Sequence, residues 1–282
     1  MALPSEFDLD DFVRSVLRED LGEGGDITSR ATIATDARFT AEMNCREPIV
    51  VAGLEITAAF FRKLDPEVAL EQCVADGDSV GVGTVLMRLE GDARAMLAAE
   101  RAALNTLQHL SGIATLTGRY VDAIAGTGAA LLDTRKTIPG LRVLGKYAAR
   151  MGGAHNHRMR LDDGVLIKDN HVAVCGGVAE AVSRARAAQT GLQVQVEVDR
   201  IEQIEPALAA GAGRLLLDNM PPAVLREAVA LVAGRVPLEA SGGVNFDTIR
   251  AIAETGVDTI SVGRITQSAP AADIGLDYST SR

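Results

Sequence analysis

The sequence has no tryptophan, and phenylalanine and tyrosine together make up only 3% of it. Its core must therefore be built from Ala, Val, Leu and Ile, a composition that suits parallel strands covered by helices. Cysteine is also scarce. Cys45, Cys73 and Cys175 are odd in number and far apart, which excludes a disulfide framework and a CxxC metal site. All three read as buried structural cysteines, and free thiols point to the cytoplasm. No apolar run reaches the roughly 20 residues that span a bilayer. The opening MALPSEFDLDDF lacks a basic stretch followed by an apolar one, so no signal peptide is expected. Positive charge is in deficit: the formal net charge is −10, unlike the basic surface of a nucleic-acid-binding protein.

What is present is a chain of 282 residues, 47% hydrophobic. That is enough for one large barrel, or for a barrel with a smaller partner domain. Up to about Leu110 the pattern is mixed. Phe7 to Glu19 reads as an amphipathic helix with Phe12, Val16 and Leu17 inward. Asp26 to Ser29 reads as a turn with local side-chain hydrogen bonds. Short strands are expected at Phe39–Cys45 and Pro48–Ala52, then a helix from Leu54 to Leu64. A strand–turn–strand unit around Val80 and Val85–Leu89 follows, and a long Ala/Leu-rich helix from Asp92 to about Ser111. The stretch Asp76-Gly-Asp-Ser-Val-Gly-Val-Gly is similar to a lipoyl-carrier hairpin, but no lysine stands at its tip.

From Gly128 onward the chain is regular. Apolar runs end in charged or glycine-rich residues: Ala129–Leu132 before Asp133, Val165–Ile167 before Lys168, Val194–Val198 enclosing Glu197. The series continues with Leu215–Leu217 before Asp218, Pro237–Ala240 before Ser241, and Thr259–Val262 before Gly263. Helical stripes at Gly177–Ala188, Ile201–Ala210, Ala223–Ala233 and Phe246–Glu254 separate the later runs. This is the spacing of βα units and predicts an α/β barrel, complete or short of eight strands. The functional groups then gather at the C-terminal ends of the strands.

Between Asp133 and His171 the chain carries eight Arg/Lys against four acids. Arg142, Lys146 and Arg150 follow helical spacing, and at least Arg142 and Arg150 read as a solvated face. Arg135, Lys136, Arg158 and Lys168 lie at strand ends or in a loop and suit a ligand with several negative groups. Glu197 and Asp218 end consecutive strands; they could form an acid–base pair, but oxygen ligands without a Cys/His cluster favour Mg²⁺. Ser241-Gly-Gly243 and Ser261-Val-Gly-Arg264 are turns that can hold a phosphate on backbone N–H groups. This inventory fits a phosphorylated sugar diphosphate reacting with a carboxylated partner.

At these residues the chain resembles the quinolinate phosphoribosyltransferase family. The resemblance rests on Asp133-Thr-Arg-Lys-Thr-Ile-Pro-Gly-Leu-Arg142, Lys146-Tyr-Ala, Gly152-Gly-Ala-His-Asn-His-Arg158 and Leu166-Ile-Lys-Asp-Asn-His171. It extends to Arg46-Glu-Pro48, Glu100-Arg-Ala-Ala-Leu-Asn105, Leu110-Ser-Gly-Ile-Ala-Thr115, Glu197-Val-Asp199, Leu217-Asp-Asn-Met220, Glu239-Ala-Ser-Gly-Gly243 and Ser261-Val-Gly263. It implies an N-terminal α/β sandwich domain (1–111), an open, TIM-like α/β barrel (112–266) and a C-terminal segment (267–282) returning to the first domain. It implies phosphoribosyl transfer from phosphoribosyl diphosphate to quinolinate with decarboxylation, Mg²⁺, no organic cofactor, and a homodimer or larger assembly.

By the same resemblance Arg135, His157, Arg158 and Lys168 surround the quinolinate carboxylates, and Lys136 stands beside the diphosphate. Glu197 and Asp218 serve the ribose hydroxyls and Mg²⁺, while Ser241, Gly242, Gly243 and Gly263 take the 5′-phosphate. Thr134, Ser261 and Val262 complete the substrate contacts, and Arg101 comes from a neighbouring subunit. Lys136, Lys168, Glu197 and Asp218 are the expected catalytic set. From the residues alone, Arg101 reads as an exposed helix residue and His157 equally as a loop histidine. His155 and His171 read as structural, and His109 as a helix residue. Two positions depart from the family pattern: Ala154 where glycine is common, and Arg160 where glycine is frequent.

Overall fold

The computed structural model describes residues 7–278 and divides the chain into two compact units. One takes in Met1–Gly118, Val143–Gly153 and Ser268–Arg282; the other takes in Arg119–Arg142 and Ala154–Gln267. Residues 1–6 of the expected first domain and 279–282 of the expected C-terminal segment lie outside the described residues. The strands, in chain order, are β1 (Arg38–Cys45), β2 (Ile49–Val50), β3 (Ala69–Gln72), β4 (Ser79–Val80), β5 (Val85–Asp92) and β6 (Ala130–Leu132). They continue with β7 (Val165–Ile167), β8 (Val194–Val198), β9 (Arg214–Asp218), β10 (Leu238–Ser241), β11 (Thr259–Ser261) and β12 (Ile274–Tyr278).

In the first unit β12, β1, β5 and β3 form an antiparallel sheet. Register pairs Ala41 with Leu89 and Met43 with Met87, and all four side chains are buried. Between them Glu42 faces Arg88 on the outer side, at 3.0 Å. This is the period-two alternation of a sheet with one buried face. The first helix, Leu9–Leu21, is capped by Asp8 and buries Val13 and Leu17. Leu17 is buried as expected and Val13 joins it from outside the expected set, while Phe12 and Val16 are half-buried. Asp26 does accept from Ser29, but as the N-cap of a helix, Ile27–Thr32, rather than as part of an isolated turn.

The long helix does not stop near Ser111. It runs Ala93–Ala123, 31 residues, or about 46 Å at the α-helical rise. Gly112 lies within it because a Cβ there would stand 2.0 Å from the Pro270 carbonyl oxygen. The hydroxyls of Thr115 and Thr117 bond back to the carbonyls of Ser111 and Ile113, so these polar residues do not break the helix. Arg142 and Arg150, read as a solvated face, are only half-exposed on the helix Arg142–Met151, and Lys146 between them is fully buried. Of the cysteines, only Cys45 is buried; Cys73 and Cys175 are half-exposed, and all three are free thiols.

The second unit is built on a parallel sheet in the order β6-β11-β10-β9-β8-β7. Helices Asp169–Cys175, Val178–Ala187, Ile204–Ala209, Pro222–Val232 and Ile249–Ala253 connect its strands from β7 onward. The expected Ile201–Ala210 helix begins as a 3₁₀ turn, Ile201–Gln203, and the expected Phe246–Glu254 helix is shortened to Ile249–Ala253. The barrel is open. Among the described residues β6 and β7 do not pair, and the outer edge of β6 carries a single parallel bridge, Leu132 to His155.

Candidate active site

Partners across a parallel ladder point to the same side of the sheet, and side chains alternate along each strand. The register aligns Glu197 with Leu216, Leu216 with Glu239, Glu239 with Thr259, and Asp218 with Ser241. Glu197, Asp218, Glu239, Ser241 and Thr259 therefore share one face. Beyond the C-terminal ends of these strands lies a cavity of about 760 Å³. Its lining brings together Thr134, Arg135 and Lys136 after β6, His157 and Arg158 in the loop before β7, and Lys168 after β7. It also includes Glu197, Asp218, Ser241, Gly242, Gly243, Ser261, Val262 and Gly263. Arg101 is not among the lining residues; it is exposed on the long helix.

Asp133 organises the cationic end. It is fully buried, accepts from the His157 N–H at 2.8 Å and from Asn156 Nδ2 at 2.5 Å, and donates its own N–H to the His155 carbonyl. His155 donates its N–H in turn to the Leu131 carbonyl. The loop is thereby stitched along the free edge of β6, and His157 and Arg158 are held where they line the cavity. Arg158 donates to the Gly164 carbonyl at 2.8 Å. Burial pushes its guanidinium pKa down, and the neighbouring Arg135 charge adds to that, opposed by Asp163. The Arg135 Nε is buried with no hydrogen-bond partner among the described residues. Two repelling guanidiniums, one with an unmet buried donor, favour an anionic ligand.

Lys168 sits at the head of the helix Asp169–Cys175, where its N–H is taken by His171 Nδ1 at 2.9 Å. Its ammonium meets Glu197 at 3.1 Å; the carboxylate is nearly buried and the ammonium half-exposed. Asp218 accepts from Asn219 Nδ2 at 2.6 Å. Asn219 has φ +55°, and its N–H reaches the Ser241 carbonyl at 2.9 Å. Among the described residues no group of three or more His, Cys, Asp or Glu is placed to hold a metal. Glu197 and Asp218 offer carboxylates at consecutive strand ends, a partial oxygen set that suits a hard cation sharing its other ligands with substrate and water.

Around the glycine turns of the lining the groups are backbone. Gly242 has φ +91°, and a Cβ there would lie 2.2 Å from Asn219 Oδ1. Gly263 leaves room for the Lys136 stem, since a Cβ would stand 2.7 Å from Lys136 Cδ. Lys136 is held through its backbone: its N–H donates to Thr134 Oγ1 and its carbonyl accepts from Thr266 Oγ1. At Gly242 both the backbone conformation and the close approach require glycine.

Sequence reasoning gave no role to Glu239, Asn219, Asn245 or Gln267, all of which line the cavity, as does Arg264 of the expected Ser261–Arg264 turn. Glu239 was recoverable: it lies two residues before Ser241 and so shares its face. Asn219 follows a strand end and carries no pattern of its own.

The second half of the chain, residues 113–277, matches the family profile "Quinolinate phosphoribosyl transferase, C-terminal domain", and residues 26–111 match the corresponding N-terminal domain. A nicotinate-nucleotide pyrophosphorylase [carboxylating] of Mycobacterium leprae is 44% identical over 273 residues, covering 95% of this chain and 96% of that protein. A probable enzyme of the same name from Bacillus subtilis is 41% identical, over 93% of this chain and 91% of that one. The structure of the nicotinate-nucleotide pyrophosphorylase from Francisella tularensis superposes with a TM-score of 0.93 at 38% identity, covering 99% of this chain and 100% of that one.

Proposed function

The chain belongs to the quinolinate phosphoribosyltransferase family, and from that premise we propose how its cavity performs the reaction. The enzyme transfers phosphoribosyl from phosphoribosyl diphosphate to quinolinate with decarboxylation. The products are nicotinate mononucleotide, diphosphate and CO₂, a step of de novo NAD biosynthesis. The observation that carries the reading of the site is the Arg135–Arg158 pair, with its unmet buried donor, in one cavity with two glycine turns.

Arg135, His157, Arg158 and Lys168 surround the quinolinate carboxylates, with Thr134 beside them. Ser241, Gly242, Gly243, Ser261, Val262 and Gly263 receive the 5′-phosphate, and Lys136 stands beside the diphosphate. Glu197 and Asp218 take the ribose hydroxyls and hold Mg²⁺, which when bound adds positive charge where the diphosphate departs. The pyridine nitrogen attacks C1 of the ribose as the diphosphate leaves. Lys136 answers the negative charge that develops on the leaving group; preorganised groups of this kind contribute about 3 kcal/mol each. Holding both substrates in line contributes more. The alkylated nitrogen then withdraws electrons from the ring. The adjacent carboxylate leaves as CO₂, its bonding pair stays on the ring carbon, and a proton takes its place.

The working form is a homodimer or larger assembly in which Arg101 of one copy completes the site of another. The exposure of Arg101, away from the lining of its own cavity, supports this use. Among the described residues no helix is long and apolar enough to cross a membrane, and the free thiols favour the cytoplasm. The direct test is CO₂ release from carboxyl-labelled quinolinate with phosphoribosyl diphosphate and Mg²⁺. Release that needs all three is expected; turnover of nicotinate with none of quinolinate overturns the substrate assignment. Mixed oligomers of Arg101→Ala and Lys168→Ala subunits, each inactive alone, regain activity if the site is shared. No recovery in verified mixed oligomers overturns the sharing.

A further inference from the structure

Beneath the cationic end of the cavity the barrel interior is polar. Gln195 on β8, Arg214 on β9, and Glu239 on β10 meet at one carboxylate oxygen. Glu239 Oε2 accepts from Gln195 Nε2 at 2.8 Å and lies 3.4 Å from both Arg214 Nη2 and His157 Nε2. Arg214 is itself held by Thr259 on β11. The Glu239 side chain is only 1% exposed. Burial alone would drive its carboxyl pKa up. Hydrogen bonding from His157, Gln195 and Ser261 outweighs that and holds it below the ordinary value. A buried acid kept ionised by four neighbours is an unusual use of a barrel interior. Stability does not explain it, because a buried ion pair commonly gains little over apolar packing.

Its connection to the cavity runs through His157. The imidazole Nδ1 accepts the Arg158 N–H at 2.7 Å, so Nδ1 carries no proton and Nε2 must. That Nε2–H is the group directed at Glu239. The His157 N–H is fixed separately by Asp133. Both ring nitrogens are thus engaged with the protein, and the ring orientation is set from below by one carboxylate.

We propose that Glu239 is a positioning residue for the carboxylate-binding end of the cavity, selecting the Nε2–H form of His157 and, through its Nδ1, fixing the Arg158 backbone. The proposal rests on the quinolinate reading for its substrate, but not for its geometry. Glu239 touches no reacting atom in this scheme. Its effect passes through the imidazole to the Arg158 backbone, and its one link to the phosphate-binding residues is the hydrogen bond from Ser261.

The test has two arms. In the first, the imidazole nitrogens of His157 are observed by ¹⁵N NMR in the unliganded wild-type protein, assigned with His157→Gln. A protonated Nε2 and a bare Nδ1 are expected; a protonated Nδ1, or an even mixture of the two forms, overturns the proposal. In the second arm, Glu239→Ala and Glu239→Gln are compared with wild type. Glu239→Ala should raise KM for quinolinate on the order of tenfold while KM for phosphoribosyl diphosphate stays within about twofold. Glu239→Gln keeps an acceptor for the Nε2–H and should recover most of that loss. A folded Glu239→Ala with unchanged quinolinate KM, or with equal losses for both substrates, overturns the proposal. If Glu239→Ala does not fold, the wild-type spectrum and the Gln variant decide. The spectrum needs no substrate, so failure of the quinolinate reading itself would show separately, as absent quinolinate-dependent CO₂ release.

Discussion

The two ends of the cavity are made for anions by opposite means. At one end Arg135, Arg158 and Lys168 supply charge on side chains, and that charge must be held against mutual repulsion. Asp133, Gly164 and Glu197 hold it through specific contacts. At the other end Gly242, Gly243 and Gly263 supply space, and the polar groups are the backbone itself. The first end is specific in the spacing and shape of the charges it meets. The second is specific in how closely the chain can approach. The difference predicts that substitutions should act on one substrate and not the other.

The largest effect expected is that of Gly242→Ala. Its φ of +91° and the 2.2 Å approach to Asn219 forbid a Cβ without moving backbone. Steady-state kinetics should show a loss of about 100-fold in kcat/KM for phosphoribosyl diphosphate, or about 2.7 kcal/mol. Next is Arg158→Lys, which keeps the charge but loses the planar fork and the bond to the Gly164 carbonyl. Quinolinate KM should rise about tenfold with the phosphoribosyl diphosphate KM unchanged. Loss for both substrates in either variant would break the comparison.

The smallest effect concerns acid. Glu239 is held below its ordinary value of 4.5 in the folded protein. A depressed carboxyl stabilises the fold above the unfolded value, and that contribution is lost as pH falls through the folded one. Denaturant melts of Glu239→Gln should therefore fall off less steeply than wild type below about pH 4.5. Parallel curves would show that Glu239 gains nothing from its partners.

Much of this was legible in the sequence, and the pattern of what was not is informative. Val165–Ile167 and Val194–Val198 are found where expected, the first from its apolar run and the second from valines at every second position. The long helix runs past its expected end near Ser111, and the reason for the glycine at 112, the approach of Pro270, is tertiary. Arg142 and Arg150 were read as solvated because charges at helical spacing usually are, and nothing local signals the burial of the helix between them. The site residues were legible at strand ends, where polarity is out of place. Glu239 was hidden one alternation deeper, among residues that read as core. Arg101 carries no local signal at all; only the family resemblance points to it.

The account stands most directly on the division between the two ends. Quinolinate affinity, measured calorimetrically on Arg158→Ala and Gly242→Ala, tests it without turnover. Binding is expected to weaken at least about 30-fold in Arg158→Ala, from loss of charge-assisted hydrogen bonds, and to stay within about twofold in Gly242→Ala. Equal weakening in the two variants, or undiminished binding in Arg158→Ala, would contradict it.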